Sequence, residues 1–233
     1  IIMKTILEND NDFICDMSAK CFQNLTDDEI KLISESKTQV LFHKGENLTK
    51  QGAFASYILF VVNGLCKQYV EDNSSKNYNL KIILPGEFIG LSSIFTKESF
   101  NYSTVSLTET LAFLIEKEAI EKIVKNNSEF AYNIIKKYCS QNSGLFDIIR
   151  NISFKQTYGN LAETLLYLDG IKTEEGSIFQ FLTRKDIADF AGISTEGAIK
   201  ILKSLEKDKL IKLDEKDIII KNRKKLEELS QKG

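Results

Sequence analysis

The chain has 233 residues, 42% of them hydrophobic and 27% charged, with a formal net charge of −2. That is an ordinary globular mixture, long enough for one large domain or two modest ones, and it excludes disordered and collagen-like classes. The charge balance gives no global attraction to nucleic acid, so any such binding has to come from a local basic patch.

The scarce residues narrow the chemistry further. A single histidine, His43, removes most histidine-based metal sites and Ser-His-Asp catalysis. Cys15, Cys21, Cys66 and Cys139 form no CxxC pair, which argues against zinc ribbons and thioredoxin-like chemistry. No P-loop or nucleophile elbow occurs, so the expectation is a protein that is not an enzyme and carries no metal or other cofactor. No run of about 18 apolar residues is present, and Ile1-Ile2-Met3-Lys4 lacks the pattern of a signal peptide. A cytoplasmic protein without a membrane partner is expected, and Ile1-Ile2 ahead of Met3 leaves the natural N-terminus open.

In chain order, Thr26 with Glu29 three residues on forms a capping box that opens a short helix. Residues 38 to about 115 then read as β structure. Runs such as Tyr57-Ile58-Leu59-Phe60-Val61-Val62 and Leu80-Lys81-Ile82-Ile83-Leu84 are rich in β-branched and aromatic residues. Turns at Lys44-Gly45-Glu46, Gln51-Gly52, Asn63-Gly64, Asp72-Asn73-Ser74 and Pro85-Gly86-Glu87 punctuate them at the spacing of a small sandwich or barrel.

From about Glu116 the period becomes helical. Ser128 to Phe154 holds no proline, and Ala131, Ile135, Tyr138, Asn142, Leu145, Ile149 and Ile152 alternate steps of four and three. Such an a/d stripe fits a helix lying on its own domain's sheet, or a parallel two-helix dimer seam. The seam is favoured, because a single polar residue, Asn142, is a known register device.

The last third starts with helical spacing over Tyr158 to Leu168. Thr183 caps a helix with Asp186 at its third position, and Gly192 ends that helix. Ser194 caps the next one, whose Ala198, Ile201, Leu202 and Leu205 make an apolar stripe. Leu210 to Leu213 and Ile218 to Ile220 read as a hairpin across Asp214-Glu215-Lys216. Helix, turn, helix, hairpin is a winged helix-turn-helix.

These segments, in this order, resemble the Crp/Fnr (cAMP receptor protein/fumarate-nitrate reductase regulator) family of bacterial transcription factors. The likeness rests on Phe42-His43-Lys44-Gly45-Glu46, Gln51-Gly52, Asn63-Gly64 and Pro85-Gly86-Glu87-Phe88-Ile89-Gly90, and on Leu182-Thr183-Arg184-Lys185-Asp186-Ile187-Ala188 through Ser194-Thr195-Glu196. It implies an α+β chain with three parts. A cyclic-nucleotide-binding-type β-roll with N-terminal helices would span 1–127, a long dimerisation helix 128–154, and a C-terminal winged helix-turn-helix 155–233. The implied function is a homodimeric, sequence-specific transcriptional regulator. Its implied partners are double-stranded DNA, RNA polymerase and a small-molecule effector of unstated identity. A different class remains open, a ligand-binding roll whose C-terminal domain makes protein contacts.

DNA reading falls on the helix after Ser194, whose outward face carries Thr195, Glu196, Ile199, Lys200 and Lys203. Glutamate accepts from cytosine, isoleucine meets a thymine methyl, and lysine donates to guanine or phosphate. Thr183 and Arg184 suit backbone phosphates. From Glu196 to Lys225 there are ten basic and six acidic residues, a local excess of positive charge. A solvated lysine-rich face without a partner is the plain alternative. Relatives commonly carry arginine where Thr195 and Lys200 stand.

In cAMP-binding relatives, Gly-Glu and a later Arg-Ser hold the ribose and the cyclic phosphate. The matching positions here are Gly90-Leu91 and Tyr102-Ser103, and no arginine precedes Arg150. Leucine cannot accept a ribose hydroxyl, and a buried phosphate lacks its bidentate guanidinium. Leu145 and Phe146 stand where relatives offer hydroxyls to adenine. The candidate pocket is therefore Ile89, Gly90, Leu91, Ser92, Tyr102, Ser103, Leu145 and Phe146. It is either a filled core or a site for an apolar effector, and not one for cAMP. Cys15-x5-Cys21 offers only part of the cluster spacing of oxygen-sensing relatives, so inert thiols are expected.

Overall fold

A computed structural model describes residues 4–5, 24–72, 76–95, 99–173 and 176–232. The chain divides into two compact units, Ile1–Glu71 with Ile82–Gly144, and Asp72–Lys81 with Leu145–Gly233.

The first unit is built on two sheets. β1 (Lys4–Thr5), β2 (Lys37–Phe42), β9 (Thr110–Glu116), β4 (Tyr57–Asn63) and β7 (Phe88–Ile89) form one, in the order β1-β2-β9-β4-β7. The other runs β3 (Asn47–Thr49), β8 (Ser103–Ser106), β5 (Cys66–Glu71), β6 (Asn77–Ile83), with β6 continuing into the second unit. Helices α1 (Asp27–Glu35) and α2 (Lys117–Asn126) flank the sheets, and α3 (Ser128–Phe154) follows. The Thr26 box forms as expected: its hydroxyl accepts from Glu29 N–H, and Glu29 Oε2 accepts from Thr26 N–H at 2.8 Å.

Strand β4 shows why its sequence is an unbroken apolar run. Side chains alternate faces along a strand, and both faces of β4 are covered. Ile58 and Phe60 join a core with Phe113, Ile115, Ile120, Ile123, Phe130 and Ile134. Leu59 and Val61 join a second core inside the roll with Val40, Phe42, Cys66, Ile83 and Ile89. The turn after β4 requires glycine: Gly64 has φ +91°, and a Cβ there would lie 2.4 Å from the Glu109 carbonyl oxygen.

The long helix spans Ser128–Phe154, the bounds read from sequence. One face of it packs on its own unit, while the stripe read as a seam lies on another. Phe130 and Ile134 are buried in the first unit's core, 0% and 1% exposed, and the seam reading had not selected them. The seam residues Ile135, Leu145, Ile149 and Ile152 are exposed, while Ala131 and Tyr138 are half-buried. The unit boundary at Gly144/Leu145 falls within this helix.

The second unit contains α4 (Thr157–Asp169), the short β10 (Lys172–Thr173) and β11 (Gly176–Ser177), α5 (Arg184–Ala191), α6 (Thr195–Lys207), β12 (Ile211–Asp214), β13 (Asp217–Ile220) and α7 (Arg223–Lys232). Asp214 pairs with Asp217, so the wing turn has two residues rather than the three read from sequence, with Glu215 at φ 52°. Gly192 ends α5 in the left-handed conformation, φ +67°, and a Cβ there would come 3.0 Å from the Tyr78 ring. Beside it, Asn79 Nδ2 donates to the Asp186 carbonyl at 2.9 Å.

Helix α7 had not been expected. Leu226 is fully buried and Arg223 pairs with Asp169 at 2.7 Å. Leu226 and Leu229 are its only apolar residues, so the stretch reads as a solvated tail. The signals present were Asn222, whose Oδ1 accepts from Lys225 N–H at 3.1 Å, and the Arg223–Glu227 pair one turn apart.

Candidate nucleic-acid interface and sensor pocket

Helix α6 owes its orientation to its buried stripe. Ala198, Leu202 and Leu205 are 0–1% exposed, so the opposite face must look outward. Glu196, Ile199, Lys200 and Lys203 all lie on that exposed face, and Thr195 is half-buried at its start. Ile199, at 37% exposure, is an apolar side chain held in solvent. Ser194 caps the helix, its hydroxyl accepting from Gly197 N–H at 3.1 Å.

Helix α5 is fixed by a reciprocal cap. Thr183 Oγ1 accepts from Asp186 N–H at 3.1 Å, and Asp186 Oδ2 accepts from the Thr183 N–H at 2.8 Å and hydroxyl at 2.6 Å. Thr183 is thus engaged within the protein. Thr183→Ala should lower stability by about 1 kcal/mol, measured by urea unfolding.

Arg184 has a task that sequence reading missed. Its guanidinium donates to the carbonyl oxygens of Glu215, at 3.0 Å, and Lys216, at 3.3 Å. Burial pulls its pKa down and Asp217 opposes that. The side chain therefore ties the first helix of the helix-turn-helix to the tip of the wing. Nothing in the local sequence links residues 184 and 215; only the fold brings them together. Arg184→Ala should weaken duplex binding several-fold for all sequences while leaving the salt slope unchanged, because wing order is lost rather than a phosphate contact. Filter binding across a salt series separates the two.

In the roll, the residues expected at the pocket split into two groups. Ile89, Gly90, Leu91, Tyr102 and Ser103 come together inside the first unit, where Ile89 and Ser103 are fully buried. Ser92 is half-buried beside them in a short 3-10 turn, Leu91–Ile94. Leu145 and Phe146 belong to the second unit and are 39% and 73% exposed on α3. A cavity of about 320 Å³, between Phe54, Ala55, Ser56, Tyr57 and Glu116, Lys117, Glu118, shares no residue with the expected set.

The polar groups at Tyr102 and Ser103 are already in use. The Gly90 N–H donates to the Tyr102 hydroxyl at 2.9 Å. Ser103 Oγ donates to Glu71 Oε1 at 2.6 Å and accepts from the Gln51 N–H at 3.0 Å. Lys50 Nζ binds both Glu71 oxygens at 2.7 Å. This ammonium holds the Glu71 carboxyl below its ordinary pKa, so the pair's contribution is present at neutral pH and is lost as the pH falls through the lowered value.

Cys66 is a buried thiol pushed up to about 12 by desolvation, which makes it a poor nucleophile. Cys139 is exposed on α3, and Cys15 and Cys21 lie outside the described residues. Among the described residues no cluster of three or more His, Cys, Asp or Glu side chains suits a metal ion, and no helix is long and apolar enough to cross a membrane.

Comparison with known proteins agrees with this geometry part by part. Residues 39–127 match the cyclic nucleotide-binding domain and residues 160–229 the Crp-like helix-turn-helix domain. The chain is 23% identical over 201 residues to the anaerobic regulatory protein of Bacillus subtilis, covering 84% of each. It is 23% identical over 216 residues to the CRP-like cAMP-activated global transcriptional regulator of Mycobacterium tuberculosis, covering 89% of this chain and 95% of that one. The fold is shared with FixK2 from Bradyrhizobium japonicum at a TM-score of 0.74 and 21% identity, over 83% of this chain and 96% of that one. It is shared also with a putative crp/fnr-family transcriptional regulator from Eubacterium rectale at 0.72 and 21%, over 91% and 98%. The β-roll sensor domain, the long helix and the winged helix-turn-helix thus occur in the family's order, and the chain belongs to the Crp/Fnr family of transcriptional regulators.

Proposed function

We propose that the protein is a homodimeric, sequence-specific DNA-binding regulator that acts without cAMP. The observation that carries this reading is the outward face of α6, where Glu196, Ile199, Lys200 and Lys203 project together from a capped helix held by a buried stripe. A helix presenting acceptor, methyl-contacting and cationic side chains on one face suits the major groove. Thr195 and Ser194 at its N-terminus would lie nearest the bases, with Arg184 and Thr183 acting through the wing and the cap.

Dimerisation is supported by α3, whose Ile135, Leu145, Ile149 and Ile152 are exposed at a/d spacing along one helix. Asn142 falls on the same stripe by position. A two-fold dimer would set its recognition helices about 34 Å apart, one turn of B-DNA, and so read pseudo-palindromic sites. The three-part division at 127 and 154 follows from the same helix acting as connector. RNA polymerase would then be the downstream partner in the cytoplasm, where a DNA-binding regulator must act.

Selection from random duplexes, followed by binding at several salt concentrations, tests the reading. Enrichment of a two-fold-symmetric site with a steep salt dependence is expected. No preference for any duplex would overturn it in favour of a C-terminal domain that binds proteins.

A further inference from the structure

We propose that Tyr102 is the specificity-determining residue of the sensor roll, a built-in occupant of the turn at Gly90 that excludes anionic effectors. This rests on the reading of the roll as a sensor domain that does not use cAMP.

The turn that would receive an anion is defined by Gly90 and by the Tyr102-Ser103 pair that follows it. Two of its donors are committed internally. The Gly90 backbone N–H points at an oxygen 2.9 Å away, and that oxygen belongs to the Tyr102 phenol. Ser103 Oγ gives its proton to Glu71, which already holds the Lys50 ammonium through both oxygens.

Sterics close the same place. Phe100 and Tyr102 both pack on the roll's inner core beside Leu59, Ile83 and Ile89. Gly90 adopts φ +87°, and a Cβ on it would meet the Phe100 ring at 2.7 Å. Two aromatic side chains from one short segment, residues 100–102, therefore cover the glycine, one against its Cα and one on its N–H. Burial pushes the Tyr102 hydroxyl above its ordinary pKa, so it stays a neutral phenol at physiological pH.

The consequence is a change of ligand class. An anion entering this turn must displace a neutral hydroxyl from a buried amide. No guanidinium compensates it, since no arginine precedes Arg150. Nucleotides and inorganic phosphate are thereby excluded, and removal of the phenol leaves a slot shaped for an uncharged aromatic hydroxyl.

The experiment uses the full-length protein with three probes: cAMP, inorganic phosphate and phenol. Wild type should show no saturable binding of cAMP or phosphate up to millimolar concentration by calorimetry. Tyr102→Ala should bind phenol at least about tenfold more tightly than wild type, as emptied apolar cavities take up matching rings. Tyr102→Phe keeps the ring and removes only the oxygen, so it should fold, and the Gly90 amide proton resonance should move upfield as its acceptor is lost. Should Tyr102→Ala fail to fold, Tyr102→Phe alone decides the matter. An unchanged Gly90 resonance in Tyr102→Phe, or saturable cAMP or phosphate binding to wild type that perturbs that resonance, would overturn the proposal. Saturable cAMP binding by wild type would strike the cAMP-independent reading as well, absence of duplex binding strikes the regulator reading alone, and an unchanged Gly90 resonance in Tyr102→Phe strikes only the role of Tyr102.

Discussion

Ile149→Glu is expected to turn the proposed dimer into a monomer at micromolar concentration while leaving each chain folded. Ile149 is 58% exposed within the chain, so a carboxylate there costs the fold little. In a two-fold seam the same substitution buries two unpaired charges, each costing several kcal/mol. The dimer dissociation constant should therefore rise on the order of a thousandfold or more. Sedimentation equilibrium reads the association state, and far-ultraviolet circular dichroism confirms that the helices persist. Ile134→Glu is the control. Ile134 is 1% exposed in the first unit's core, so glutamate there should destabilise the fold itself, by a few kcal/mol. If Ile149→Glu left sedimentation unchanged, or if wild type were already monomeric, the α3 seam would be wrong.

Lys200→Ala is the second substitution with a large expected effect. Lys200 is exposed one turn beyond Glu196 on the outward face of α6, and its removal touches no core contact. If its ammonium reads a guanine edge, the selected site should lose on the order of 10–100-fold in affinity, about 1–3 kcal/mol, while nonspecific duplex loses far less. Lys203→Ala, on the same face, should instead weaken all duplexes alike and reduce the salt slope by about one, as expected for a phosphate contact. Equal losses for selected and scrambled sites with Lys200→Ala would move Lys200 to the backbone and leave base reading to Glu196 and Ile199.

What the sequence by itself determined was set by interactions within a few residues. The boxes Thr26/Glu29 and Thr183/Asp186, the Ser194 cap and the left-handed Gly192 each satisfy backbone groups three or four positions away, so the residue types alone announce them. The a/d stripe of α3 was legible for the same reason, since helical periodicity is a local property. Tertiary structure decided everything that depends on which distant residue arrives where. Arg184 reads from sequence as a phosphate ligand; that it also holds the wing depends on the fold delivering the Glu215 and Lys216 carbonyls to it. Phe130 and Ile134 stood outside the seam pattern because a second face of α3 is claimed by the roll's core. Helix α7 escaped notice because its stability comes from docking Leu226 and Arg223 on α4, not from its own narrow apolar stripe. Loss of the arginine at Tyr102 could be read as subtraction; that a phenol oxygen fills the turn needed the register that sets Tyr102 against Gly90, twelve residues apart in sequence and joined by one hydrogen bond. Local free energies of capping and turns are encoded residue by residue, whereas burial and cross-chain pairing exist only once the chain has closed on itself.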